Sequence, residues 1–233
     1  TEKLERENLR REFSANVSHE LKTPLTSISG FAEIIQGGFV KEEDIPKFAG
    51  RIYKESQRLL QLVEDVIQIS QLDEEKTPYV WEPVDVYQVC KSAFDSLKEK
   101  AYKMNVHLYI CGDSMKMEAV RTLLEEAVYN VCDNAIKYNR NDGSVSIFLT
   151  QTAHEIQIVV KDTGVGIPKE DQDRVFERFY RVDKSHSKEI GGTGLGLSIV
   201  KHAVSTLNGS IVLRSEEGSG TEITMKFLKV HKE

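Results

Sequence analysis

The feature that most constrains this chain is a heptad seam between residues 45 and 69. Ile45, Phe48, Ile52, Glu55, Leu59, Leu62, Val66 and Ile69 recur at alternating steps of three and four, with Glu55 the single polar break. That spacing predicts one long helix with an apolar edge. An earlier stripe of Val17, Leu21, Pro24, Ile28, Phe31 and Ile35 predicts another helix before it. Between the two, Gly37-Gly38 reads as a helix stop and Glu42-Glu43-Asp44 as a helix start. The pair is expected to fold back as a hairpin. Its apolar stripes are too wide for one partner helix, so a homodimer in which two hairpins form a four-helix bundle is expected.

After residue 72 the period changes. Residues 73–83 carry Pro78 and Pro83 and read as a linker. Residues 85–103 and 115–138 predict helices, while Val145-Ile147-Leu149, Ile156-Ile158-Val160 and Ile223-Met225-Phe227 alternate as half-buried strands. The expected organisation is a helical hairpin over 1–72, a linker over 73–83, and an α/β sandwich over 84–233 with helices on one face of its sheet.

Charge and cysteine usage narrow the function. The 31 Lys and Arg against 37 Asp and Glu give a net charge of -6, and residues 1–75 hold 10 basic and 15 acidic side chains. That excludes a general nucleic-acid binder, which needs a basic face. No apolar run approaches the ~20 residues of a bilayer span, so no membrane contact is expected here. Cys90, Cys111 and Cys132 form no C-x-x-C pair, hence neither a disulfide framework nor a zinc site; all three read as small, partly buried apolar residues in a reducing cytoplasm. Opening at Thr1 within a charged stretch, the chain reads as a fragment of a longer protein.

His19 lies two residues from Val17 and two from Leu21, about 200° around the helix from each, so it points outward with Ser18, Lys22 and Thr26. Glu20 beside it can orient or deprotonate the imidazole and leave one ring nitrogen as a nucleophile. Thr23 sits one turn along the same face. Pro24 removes a backbone donor, which frees the carbonyl of Glu20 and is expected to bend the helix beside the histidine.

A second set of polar residues runs along the predicted helix 115–138. Glu126, Asn130, Asn134 and Lys137 form a ladder at steps of four, four and three beside an apolar stripe that ends at Tyr138. Asn is a poor helix former, but its amide oxygen can ligate Mg²⁺, and Lys137 supplies charge for a phosphate. The strand over 155–160 runs into Asp162-Thr163-Gly164-Val165-Gly166. There an acid can accept from the adenine amino group, and the glycines let the backbone approach a flat ligand. Phe176-Glu177-Arg178-Phe179-Tyr180-Arg181 then precedes a polar loop, from about Val182 to Ile190, whose His186 reads as solvent-exposed. Gly191-Gly192-Thr193-Gly194-Leu195-Gly196-Leu197-Ser198 feeds a helix N-terminus, a phosphate cradle by geometry and dipole, although neither a P-loop nor G-x-G-x-x-G.

The stretch Phe13-Ser14-Ala15-Asn16-Val17-Ser18-His19-Glu20-Leu21-Lys22-Thr23-Pro24-Leu25 resembles the phosphoacceptor box of bacterial sensor histidine kinases. The later segments resemble that family's N-box, first glycine box, F-box and second glycine box, in family order and over essentially the whole chain. An Asp-Thr-Gly triplet also occurs in aspartic proteases, but that reading leaves the histidine box, the Asn ladder and the second glycine cluster unexplained. The resemblance implies an ATP-binding α/β sandwich of the gyrase, chaperone and histidine-kinase type behind a dimerising hairpin. It implies ATP and Mg²⁺ as cofactors, a response-regulator receiver domain as partner, and a cytoplasmic catalytic portion within a membrane-anchored full-length protein. His19 corresponds to the phosphorylated histidine, Glu20 to the assisting acid, and Thr23 to a position linked to dephosphorylating the regulator. Glu126 and Arg181 complete the candidate catalytic set, Arg181 as a γ-phosphate contact. Asn134 corresponds to the Mg²⁺ ligand, with Asn130 and Lys137 near the phosphates and Tyr138 beside the nucleotide. Asp162 corresponds to the adenine-recognising acid, and Gly164, Gly166, Gly192, Thr193, Gly194, Leu195 and Gly196 to the backbone cradle. The one departure is Asp-Thr-Gly where many members have Asp-Asn-Gly.

Overall fold

The two apolar stripes become helices α1 (Glu2–Gln36) and α2 (Ile45–Asp73) in a computed structural model that describes residues 2–73, 79–182 and 192–229. These helices, together with residues 192–195, form one compact unit of the chain, and the rest of the α/β region forms another. Helix α1 continues as a single element through Pro24. It stops where Gly38 takes a φ of 70°. There the Phe39 N–H donates to the Ile34 carbonyl at 3.1 Å and the Gly38 N–H to the Ile35 carbonyl at 3.1 Å, the paired bonds of a Schellman stop. A 3₁₀ turn at Glu42–Asp44 leads into α2, placing three acids at its positive end, and Pro46 falls in its first turn, where no N–H is needed. Across the hairpin Phe31 meets Phe48 edge-on at 5.8 Å, and the Arg51 guanidinium lies 5.5 Å from one ring and 5.9 Å from the other.

The α/β unit comprises β1 (Glu82–Asp85), α3 (Val86–Lys103), β2 (Val106–Cys111), β3 (Lys116–Ala119), α4 (Arg121–Lys137), β4 (Gly143–Gln151), β5 (Glu155–Asp162), α5 (Gly196–Thr206), β6 (Ser210–Glu216) and β7 (Gly220–Leu228). Its main sheet has the order β2-β4-β5-β7-β6, and β1 pairs with β3 in a separate ribbon. Val145, Ile147 and Leu149 of β4, Ile156, Ile158 and Val160 of β5, and Ile223, Met225 and Phe227 of β7 all bury their side chains. The buried faces of α3, α4 and α5 complete that core, each large aliphatic residue contributing about 1.5–3 kcal/mol by leaving water.

Several expectations need correction. The predicted helix 115–138 is two elements. Lys116–Ala119 alternates exposed and buried as β3, and α4 starts only at Arg121, after Val120 as its cap residue. Asp85 lies outside α3 and caps it, its carboxylate accepting from the Tyr87 N–H at 3.0 Å and the Gln88 N–H at 3.3 Å. Of the expected linker 73–83, Asp73 still belongs to α2, while Glu82 and Pro83 already belong to β1. Strands β1, β2, β3 and β6 add to those expected from the alternation, and β2 runs parallel to β4 whereas the other strand pairs of the sheet are antiparallel. Cys90 and Cys132 are buried, the Cys90 thiol pushed up to about 12 by burial, whereas Cys111 is exposed rather than partly buried.

Candidate functional site

The turn of α1 that turns Val17 and Leu21 inward leaves the His19 side chain 80% exposed. Ser18, Lys22 and Thr26 share its exposed side. Glu20 Oε1 lies 3.7 Å from His19 Nδ1, close enough to orient the ring electrostatically though beyond hydrogen-bond length. The other carboxylate oxygen lies 3.8 Å from Nη2 of Arg58 on α2, a residue no sequence motif singled out. The Thr23 hydroxyl donates to the His19 carbonyl at 3.2 Å. Ser18, Thr26 and Ser27 make the same four-residue back-bond along this stretch.

The nucleotide candidates lie along α4 and the strand ends beside it. Asn130 Nδ2 donates to the Glu126 carbonyl at 3.0 Å, which fixes the amide and leaves Oδ1 toward α5. A Cβ on Gly196, the first residue of α5, would lie 3.0 Å from Asn130 Oδ1 and 3.6 Å from Asn134 Nδ2. A side chain there would crowd the Asn130 amide, so glycine lets the start of α5 lie close against α4. Lys137 Nζ lies 5.2 Å from the centre of the Tyr138 ring. Burial raises the Tyr138 phenol above its ordinary pKa, and the positive charge of Arg181 opposes that shift.

Asp162 closes β5. Its Oδ1 accepts from the Gly164 N–H at 2.7 Å and the Thr221 N–H at 3.1 Å. Burial raises its pKa above the ordinary carboxylate range, and the two backbone bonds pull the other way. Both bonds fall on Oδ1, so among the described residues Oδ2 has capacity left for an external amino group. The glycines that follow serve packing within the unit. A Cβ on Gly164 would sit 2.4 Å from the Tyr138 carbonyl oxygen, and one on Gly166, at a φ of 71°, would sit 2.0 Å from the Glu216 carbonyl oxygen. Their backbone closes on neighbouring chain, a constraint beside the ligand approach expected from the sequence.

Thr163 explains the departure from Asp-Asn-Gly. Its hydroxyl accepts from the Ser144 N–H at 2.8 Å and donates to Asn139 Oδ1 at 3.2 Å. Asn139 in turn donates to the Ala135 and Ser144 carbonyls at 3.0 Å each, tying the end of β5 to the end of α4. Sequence reasoning missed Thr221 and Gly220, although Gly218-Ser219-Gly220-Thr221 is a visible turn signal; a Cβ on Gly220 would meet the Asp162 carbonyl oxygen at 2.2 Å. In the second glycine segment Gly192 and Gly194 take φ values of 147° and 74°. The Leu195 N–H donates to Thr193 Oγ1 at 3.3 Å while the Leu195 side chain is fully buried, so Leu195 offers a ligand backbone only. Before it, Phe179 takes a φ of 63° and the Arg174 guanidinium stacks 4.3 Å from the Tyr180 ring. His186, the rest of stretch 183–190 and Gly191 lie outside the described residues.

Two family descriptions match the chain. Residues 9–75 match the His Kinase A (phospho-acceptor) domain, and residues 119–231 match the histidine kinase-, DNA gyrase B-, and HSP90-like ATPase family. Among curated relatives, the sensor protein kinase WalK of Staphylococcus saprophyticus is 38% identical over 226 residues, covering 96% of this chain and 37% of that protein. The sensor-like histidine kinase SenX3 of Mycolicibacterium smegmatis is 40% identical over 223 residues, covering 94% of this chain and 57% of that protein. The chain thus spans little more than half of its curated relatives at most. Among solved structures, the histidine kinase ThkA in complex with response regulator protein TrrA shares the fold, with a TM-score of 0.78 at 23% identity over 97% of this chain and 64% of that one.

Proposed function

This chain belongs to the sensor histidine kinases, with a phospho-acceptor hairpin and an ATP-binding domain on one polypeptide, and from that premise we propose that it phosphorylates its own His19 from ATP. The observation that carries the reading is an exposed imidazole whose Nδ1 faces an acid, on the same chain as a half-buried acid suited to adenine. With its proton held on Nδ1 toward Glu20, His19 attacks through the Nε2 lone pair. The Nε2–phosphorus bond forms as the bond from the γ-phosphorus to the β-bridging oxygen breaks, and ADP leaves with that electron pair. In the second step an aspartate carboxylate of a response-regulator receiver domain attacks the same phosphorus, and the imidazole recovers its pair.

In the ATP step Asp162 selects the adenine amino group, and Lys137 and Arg181 offset phosphate charge. The family resemblance assigns the phosphate contacts to Thr193 and to the backbone from Gly192 to Gly196. Glu126 stands one turn before Asn130 as the further acid of this ladder. Mg²⁺ suits the chemistry of the donor set, because Asn130 and Asn134 both carry amide oxygens; Asn134 would hold the ion through its oxygen, and the ion would supply charge neutralisation for the phosphate oxygens.

A homodimer belongs to the same reading. Tyr53, Leu60, Val63 and Ile67 of α2 repeat at heptad spacing and are all exposed, a second apolar row that a partner hairpin would cover. Regulator dephosphorylation assisted by Thr23 completes the proposal. The ATP supply assigns this portion to the cytoplasm. Membrane attachment of a longer protein would lie elsewhere, since no described helix is long and apolar enough to cross a bilayer. The test is labelling with γ-phosphate-labelled ATP and magnesium. The expected product is acid-labile and alkali-stable and disappears in His19→Gln; an alkali-labile product, or full labelling of His19→Gln, overturns the reading.

A further inference from the structure

We propose that Arg58 is a positioning residue for the phosphorylation of His19, acting through Glu20. The inference rests on the autophosphorylation reading above and adds a group from the other helix of the hairpin to it. Consecutive residues on an α-helix project about 100° apart, so a glutamate directly after a histidine does not by itself face the ring. Here it does, with Oε1 3.7 Å from Nδ1. The second oxygen, Oε2, lies 3.8 Å from Arg58 Nη2. One carboxylate therefore spans an imidazole on its own helix and a guanidinium on the facing helix.

The exposures divide the labour. The His19 side chain is 80% exposed, that of Glu20 30% and that of Arg58 18%. An arginine whose side chain is mostly covered is a firmer anchor than one standing free in solvent, where the pair would be screened and mobile. Anchored in this way, the carboxylate gives up rotamers that point away from the ring, and it holds the proton-bearing nitrogen on one side while Nε2 is presented for attack. Arg58 touches neither ATP nor the reacting nitrogen in this account. Its planar fork keeps the acid in place, a role for which lysine is an imperfect substitute.

A double-mutant cycle on the intact dimer tests this, reading the rate of His19 labelling at saturating ATP together with the KM for ATP. Arg58→Met should slow labelling about tenfold with KM unchanged, part of the roughly hundredfold or greater contribution of a well-placed proton acceptor. Glu20→Gln should slow it more. The double variant should be no slower than Glu20→Gln alone, because Arg58 then has nothing left to position, and Arg58→Lys should recover part of the loss. If the two slowdowns multiply, or KM for ATP rises with the loss of rate, Arg58 acts independently of Glu20 and the proposal is overturned. Should Arg58→Met lose helix or dimer, the same cycle is run with Arg58→Lys and decided by the same non-additivity. Failure of the unaltered chain to label His19 would sink the kinase reading itself, whereas normal labelling with an additive cycle sinks only the role of Arg58.

Discussion

The hairpin and the α/β unit solve opposite problems. The hairpin leaves Leu25, Tyr53, Leu60 and Ile67 each more than half exposed and carries its reactive side chain in the open. The α/β unit buries Ile147, Ile156, Ile158, Met225 and Leu124 completely and fixes its key acid by backbone N–H groups. An imidazole that must meet first a nucleotide and then a protein has to be reachable from solvent. A carboxylate that must distinguish adenine from guanine has to be dry and immobile, because desolvation sharpens a mismatched hydrogen bond. One unit is built to be covered by partners, the other to be complete in itself.

Leu60→Glu tests that contrast most severely. If the exposed row on α2 is a dimer surface, placing a charge there should weaken the dimer by roughly 3–6 kcal/mol over two symmetric copies, a hundredfold or more in Kd, as measured by analytical ultracentrifugation. Tyr102→Glu alters a residue of the α/β unit that is 86% exposed, and should leave both dimer and melting temperature within about 0.5 kcal/mol of their original values. Equal behaviour of the two variants would remove the difference between the units.

Gly166→Ala strikes the other unit. The new methyl would meet the Glu216 carbonyl at a backbone angle that disfavours it, two penalties each on the order of 1–3 kcal/mol. The expected result is a lower melting temperature for the α/β unit with the hairpin's helical signal and dimerisation retained. A variant of unchanged stability would mean that this glycine is present for a ligand after all.

Asp162→Asn separates stability from binding inside the α/β unit. The folded pKa of Asp162 is raised, so its ionised form costs stability: that cost is absent below the unfolded pKa and appears as pH rises through the folded value. Asn can still accept from the Gly164 and Thr221 N–H groups, so at neutral pH the variant should be as stable as the unaltered chain or slightly more so. Its ATP affinity should fall about ten- to hundredfold, from the ~1.5–3 kcal/mol of a lost charge-assisted bond. In the unaltered chain ATP binding should likewise weaken as pH falls through a value above the ordinary carboxylate range. Unchanged affinity by calorimetry would sink the adenine assignment.

How far each unit was legible in the sequence follows the same division. Helical stripes are local, so α1, α2 and their glycine stop could be read directly, as could Asp162 at the end of an alternating strand. Strand β3 was absorbed into the following helix because it has only four residues and Val120 continues the helical stripe of α4. Strand β6 buries none of its residues, which leaves its alternation weak. The bond from Thr221 to Asp162 spans 59 residues and is given by a backbone N–H, which has no signature in residue type. Arg58 stayed hidden for a related reason: its partner lies on the other helix, and charge on a solvated helix face is ordinary. The glycines could be read, but their close approach to neighbouring backbone could not, since a carbonyl at 2.0 Å from an imagined Cβ is a fact of packing and not of spacing.

The smallest effect is expected at Thr23, where it separates two activities on one exposed helix face. Labelling of His19 needs a free ring nitrogen and the Glu20 carboxylate, and makes no demand on a hydroxyl one turn away. Dephosphorylating a receiver aspartate does, because a water must be held in line with the phosphorus. The Thr23 proton is already donated to the His19 carbonyl at 3.2 Å, so the hydroxyl would hold that water by accepting a hydrogen bond through its lone pairs. One such bond is worth about 0.5–1.5 kcal/mol, which translates into roughly a two- to tenfold slower loss of label from the regulator in Thr23→Ala. Autophosphorylation should stay near normal, and Thr23→Ser should restore the faster loss of label. If both rates fall together in Thr23→Ala, the bond to the His19 carbonyl is supporting the helix where Pro24 gives no N–H to Glu20, and the water-holding role is wrong.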